Sequence, residues 1–218
     1  MDRAGIDRAL VAPEDREIAF QNQSGNNRIL AACGRCDRRF LPGCTVNPWS
    51  GEAGCRELRR AVDRGALVLV LAPALQGFSA ADDVADPLLA AAAEMAIPVY
   101  VHTGPHSYGA PTQLVLLACR HPRVRFVMGH CGSTDYAHDM LAVLRAAPDN
   151  LWFELSLVRP WAAADYVRAG RRERFLFGSS APRNDPAYEI SELNRHLPIR
   201  EYPDVYGENL LRLLKPND

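Results

Sequence analysis

Seven short apolar runs, each bounded by turn residues and each followed by a helix-length segment, recur along this chain at intervals of roughly 25 to 30 residues. The runs are GIDRALVAP, LPGCTVNP, ALVLVLAP, IPVYVHTG, VRFVMGHCG, NLWFELSL and RFLFGSSAP. Between them lie NNRILAACGRCDRRF, GEAGCRELRRAVDRG, DPLLAAAAEMA, PTQLVLLACRHP, YAHDMLAVLRAAP, PWAAADYVRAG and AYEISELNRHL, and EYPDVYGENLLRLLK closes the chain as a last helix. Continuous apolar, β-branched runs read as strands buried on both faces, and strands alternating with helices imply a parallel sheet with helices outside it. Gly65 after the second helical segment and Pro87 at the start of the third are the expected stop and start signals.

Seven units favour a barrel over a doubly wound sheet. A complete barrel has eight strands and usually about 250 residues, whereas this chain has 218. The expected fold is therefore α/β, a (β/α)8 TIM-barrel-like domain apparently lacking its first strand. No linker or change of composition divides it, so residues 1–218 read as one domain, and 48% hydrophobic content suffices for a substantial core.

Composition excludes several kinds of function. The 25 basic and 26 acidic residues are scattered, giving a net charge of −1, so no footprint for nucleic acid or an anionic membrane is present. The longest strongly apolar stretch, ALVLVLAPAL, is too short to span a bilayer, and the charged start MDRAGIDRA does not read as a signal peptide. A cytoplasmic protein is expected. Lys215 is the single lysine and lies three residues from the end, which argues against Schiff-base, P-loop and metal-bridging lysine chemistry. The six cysteines read as ordinary thiols, because Cys33-Gly34-Arg35-Cys36 has no second ligand pair at zinc-finger spacing.

Chemistry is concentrated where IPVYVHTG and VRFVMGHCG end, in His102 and His130, followed closely by Gly104 and Gly132. The C-terminal ends of barrel strands build active sites, so both imidazoles are expected on one rim, for metal or general-base chemistry. Glu154 in WFELS is a carboxylate within an apolar run, suited either to acid–base work or to a structural ion pair. Tyr108 and Trp161, in or beside strand-to-helix loops, are placed to line a substrate pocket. His106 and His138 read as loop or cap residues, Asp185 as a turn former before Pro186, and Cys131 as packing behind the barrel. FGSSAP lacks the Gly-x-Ser-x-Gly elbow, so Ser179 and Ser180 do not suggest a serine hydrolase.

Taken in order, GIDRALV, FLPGCTVNP, PVYVHTG, VMGHCG, NLWFELS, RFLFGSSAP and YGENLLRLL resemble the amidohydrolase-related family. These are metal-dependent barrel hydrolases and decarboxylases, among them the aminocarboxymuconate semialdehyde decarboxylases. The resemblance implies a metal held by a His-x-His pair on the first strand, a histidine ending the fifth and an aspartate in a Gly-Ser-Asp motif ending the eighth. A histidine ending the sixth strand assists. His102 matches the fifth-strand ligand and His130 the sixth-strand histidine, whereas His-x-His occurs nowhere and Gly178-Ser179-Ser180 puts Ser180 in the aspartate's place.

A neutral hydroxyl is a poor substitute for carboxylate as a ligand or a base. A divalent metal such as zinc, held by His102 and His130, is accordingly expected to bind weakly or not at all, and no organic cofactor is implied. The expected activity is hydrolysis of a small carboxylate, ester or amide, with His130 and Glu154 catalytic and Tyr108, Trp161 and Ser180 contacting substrate. The alternatives are a decarboxylase and a non-catalytic binding protein of the same fold. A barrel lacking a strand exposes two sheet edges; a homo-oligomer, or the polar segment 14–27 folded over the gap, is expected to cover them.

Overall fold

The computed structural model describes residues 1–36, 39–104, 107–133 and 135–215. Strands β1 (Ala9–Val11), β2 (Phe40–Thr45), β3 (Val68–Leu71), β4 (Val99–His102), β5 (Phe126–Gly129), β6 (Leu151–Glu154) and β7 (Phe175–Leu176) form one sheet in sequence order. Every neighbouring pair is parallel. The helices are α1 (Asp15–Ala19), α2 (Asn22–Gly34), α3 (Gly51–Asp63), α4 (Pro73–Gln76), α5 (Asp86–Glu94), α6 (Pro111–Arg120), α7 (Met140–Ala146), α8 (Pro160–Ala169), α9 (Pro186–Asn194) and α10 (Asn209–Leu213). All seven expected strands and the succession of helices between them are present, and the sheet is the curled parallel sheet of a truncated (β/α)8 barrel. Among the described residues no helix is long and apolar enough to cross a membrane.

Strand alternation sorts the side chains into two sets. Leu69 and Leu71, Val99 and Val101, Phe126 and Met128, and Leu151 and Phe153 face the helices in the main core. Val68, Val70, Tyr100, Val127, Trp152 and Leu176 belong to two smaller clusters lining the inner face. Leu210, Leu213 and Leu214 join those inner clusters, so α10 plugs the barrel at the end opposite the histidines. Asn209, fully buried, anchors this plug by donating to the carbonyls of Arg172 and Phe175.

β1 pairs only with β2, and β7 only with β6. The segment 14–27 does not run along these two free edges. It forms α1 and the first part of α2, because a capping box at Glu14 and Glu17 starts a helix there and Ile18 has an apolar seat against Val68, Val70 and Ala72. α2 then lies on β2. Two exposed ion pairs span the open side, Arg3 with Asp185 and Arg183 with Asp15.

The edge of the sheet relies on Asn26, which is fully buried on α2. Its side chain accepts from the Thr45 amide at 2.8 Å and donates to the Thr45 carbonyl at 2.9 Å and to Glu57 at 2.8 Å. Asn26→Ala strands both main-chain groups of Thr45. It should cost about 2–6 kcal/mol, from about 1–3 kcal/mol for each of the two unsatisfied buried groups, and lower the melting temperature by several degrees in a thermal unfolding measurement.

Candidate active site

His102 is the last residue of β4, and His130 follows the last residue of β5. Their strands are in register, His102 opposite Gly129, so both rings arrive at one rim. His102 Nδ1 and His130 Nε2 lie 3.0 Å apart, within hydrogen-bonding distance. The expected meeting of the two imidazoles therefore holds. His130 is turned inward by a backbone in the left-handed region, with φ of 65° at His130 and 45° at Cys131. Non-glycine residues rarely take this conformation, and it clusters at functional sites. Cys131 packs behind the barrel as expected, though through this turn and not through strand alternation, since β5 has already ended.

Glu154 ends β6 directly behind His130, with only about a tenth of its side chain exposed. Its carboxylate accepts four hydrogen bonds: from the Tyr100 hydroxyl at 2.8 Å, the His130 amide at 3.1 Å, the Ser156 amide at 2.7 Å and the Ser156 hydroxyl at 2.9 Å. Among the described residues no arginine pairs with it. His130 Nδ1 lies 2.7 Å from the Ser156 hydroxyl. A continuous chain thus runs from Glu154 through Ser156 and His130 to His102. Burial, with the adjacent Glu154 charge, raises the Tyr100 phenol well above its ordinary range and does the same to the Cys131 thiol. Tyr100 therefore stays a donor, and Cys131 is no nucleophile.

Two glycines make this packing feasible. A Cβ at Gly178 would sit 1.7 Å from Glu154 Oε1, and one at Gly129 would sit 2.3 Å from the Tyr100 ring. Each large inward side chain thus occupies space that a glycine on the next strand leaves empty.

The remaining site residues expected from sequence are more dispersed. Ser180, in the loop after β7, has a left-handed φ of 55° and is half-buried, with no side-chain bond to either histidine. Tyr108, in the loop after β4, is 52% exposed and Trp161, in the first turn of α8, is 58% exposed, and neither bonds to the imidazole pair. His106 lies outside the described residues. His138 is exposed beside Asp139, and Asp185 caps α9 by accepting from the Ala187 amide. Tyr100, Ser156 and Arg183 belong to the site yet were not singled out from sequence. For Tyr100 and Ser156 the signal was period two, since each stands two residues from His102 or Glu154.

A family model described as amidohydrolase matches residues 2–214. The chain belongs to the amidohydrolase family. An uncharacterized TIM-barrel protein from Bordetella bronchiseptica superposes with a TM-score of 0.83 at 20% identity, covering 98% of this chain and 79% of that one. The 2,6-dihydroxybenzoate decarboxylase from Rhizobium gives 0.78 at 17% identity, covering 98% and 85%. A 5-carboxyvanillate decarboxylase from Novosphingobium aromaticivorans, complexed with manganese and 4-hydroxy-3-methoxy-5-nitrobenzoic acid, gives 0.80 at 18% identity, covering 98% and 78%. No curated protein matches the chain in sequence.

For an amidohydrolase, the donor set is a poor fit to a divalent metal. Glu154 is committed to four donors, Ser180 supplies a hydroxyl, and the imidazoles are turned to each other. Among the described residues no three His, Cys, Asp or Glu side chains come together as a metal site.

His102 is nonetheless the electrostatic focus of the mouth. Burial, then the His130 ring and the Arg183 guanidinium, draw its pKa from 6.5 down to about 3. Between those values the unfolded chain binds a proton that the folded chain refuses, so folding stability should fall as pH drops from 6.5 toward 3. Urea unfolding at several pH values should show this slope, and His102→Gln should flatten it. Gly178→Ala should cost about 1–3 kcal/mol, typical of overpacking, whereas Gly207→Ala, with nothing within 4 Å of its added Cβ, should melt close to the parent.

Proposed function

We propose that this amidohydrolase is an acid–base enzyme that hydrolyses a small carboxylate-bearing ester or amide at the mouth formed by His102, His130 and Ser180. The observation that carries this reading is the buried hydrogen-bonded chain from Glu154 to His102. An ionised carboxylate is costly to bury; held behind two imidazoles tilted to each other, it favours a positive charge on the imidazole pair when a proton arrives. Water loses its proton to the pair, and its oxygen attacks the carbonyl carbon. The C–O or C–N bond then breaks, and the same proton returns to the departing oxygen or nitrogen.

Arg183 supports a substrate carboxylate at this mouth. Its charge acts on His102, and it is held from the opposite lip by Asp15. Tyr108 in the loop after β4 and Trp161 in the first turn of α8, both exposed, fit the apolar body of such a substrate. A weak metal site at His102 and His130, a cytoplasmic location and self-association through the free edges of β1 and β7 belong to the same reading.

Decarboxylation is the second reading, favoured by the fold's likeness to enzymes that act on hydroxybenzoates. There the bond from the ring carbon to the carboxylate breaks, carbon dioxide leaves, and the imidazole pair returns a proton to that carbon.

A panel of small aryl esters, amides and hydroxybenzoates distinguishes the readings by product: acid plus alcohol or amine, or carbon dioxide plus the arene. His130→Ala should reduce turnover by about a hundredfold or more, as for a general acid–base group, and Ser180→Ala should be mild. Arg183→Ala should raise KM with little change in kcat. Undiminished turnover in His130→Ala would remove the acid–base reading, and no turnover by the parent on any member of the panel would favour a binding protein.

A further inference from the structure

We infer that Ser156 is a positioning residue that fixes both imidazoles as the Nδ1–H form and thereby leaves the lone pair at the end of the hydrogen-bonded chain on His102 Nε2, not on His130. The catalytic consequence rests on the acid–base reading above; the tautomer assignment stands on geometry alone.

A serine hydroxyl has one proton to give. Ser156 Oγ lies 2.9 Å from Glu154 Oε2 and 2.7 Å from His130 Nδ1. If the proton pointed at His130, the 2.9 Å contact would set oxygen lone pairs against an ionised carboxylate. Pointed at Glu154, it satisfies that contact and leaves Oγ to accept from His130 Nδ1–H. His130 Nε2 is then bare and must accept, across 3.0 Å, from His102 Nδ1–H. Every contact is now a hydrogen bond. His102 Nε2, with no hydrogen bond among the described residues, keeps its lone pair.

The Glu154 end of this chain is rigidly set. Tyr100 and the amides of His130 and Ser156 hold the carboxylate, which fills the space that Gly178, having no side chain, leaves open. Direction therefore propagates outward from a fixed acceptor.

The test is two-bond proton–nitrogen correlation NMR on the full chain labelled with 15N-histidine, near neutral pH, with His102→Gln and His130→Gln spectra giving the assignments. Both rings should show the neutral Nδ1–H pattern. Ser156→Ala should move His130 to the Nε2–H form or a mixture, carrying His102 with it, and Ser156→Thr should restore the parent pattern. Where a substrate is in hand, Ser156→Ala should lower kcat by about tenfold or more, in the lower range for general acid–base groups, with KM little changed and Thr restoring it. An Nε2–H pattern at His130 in the parent, or a Ser156→Ala spectrum unchanged at both rings, overturns the assignment. The parent spectrum decides it even if Ser156→Ala fails to fold. The expected spectra together with full activity in His130→Ala would instead leave the assignment standing and remove the acid–base reading.

Discussion

An ionised carboxylate inside a barrel costs several kcal/mol unless it is hydrogen-bonded or paired, and this molecule solves that problem for Glu154 with donors instead of a cation. The arrangement around the rim follows from this need. The Tyr100 hydroxyl comes across from β4, and the His130 and Ser156 amides point inward where the chain turns at the ends of β5 and β6. The left-handed backbone at His130 is what presents its amide to the carboxylate while its ring faces His102. Room for the whole group comes from Gly178 and Gly129 on adjacent strands.

That solution also sets the chemistry at the mouth. Glu154 is held by neutral donors, and it meets the ring of His130 through Ser156. His102, one ring further out, is held neutral by burial, by His130 and by Arg183.

The open side of the barrel shows how a seven-stranded sheet of this family is held together. α10 fills one end with Leu210, Leu213 and Leu214. α1 seats Ile18 at the other. Two exposed ion pairs cross between the free edges, such pairs contributing about 0–1 kcal/mol each, and the turn at Asp2–Ala4 lies against α9. Cohesion therefore comes from the helices and the plug. The polar stretch 14–27 turned out to be helical because its caps and Ile18 outweighed its low apolar content.

The sequence by itself determined the order of strands and helices, the parallel sheet, and the delivery of His102 and His130 to one rim, because strand periodicity and chain order fix which end of a parallel strand a residue reaches. It also carried the family, through motifs such as VMGHCG and FGSSAP. Tertiary structure alone decided what those residues touch. Glu154 could have met an arginine or a solvent-filled rim. Only the packing of Tyr100 against Gly129 and of Glu154 against Gly178 sets its four donors. Ser156 reads as one more strand-end serine until the fold brings it between Glu154 and His130, and Arg183 as a loop cation until the turn after β7 carries it to the mouth. Hydrogen bonds between strands depend on distances of tenths of an ångström among residues far apart in sequence, and no local pattern encodes those distances.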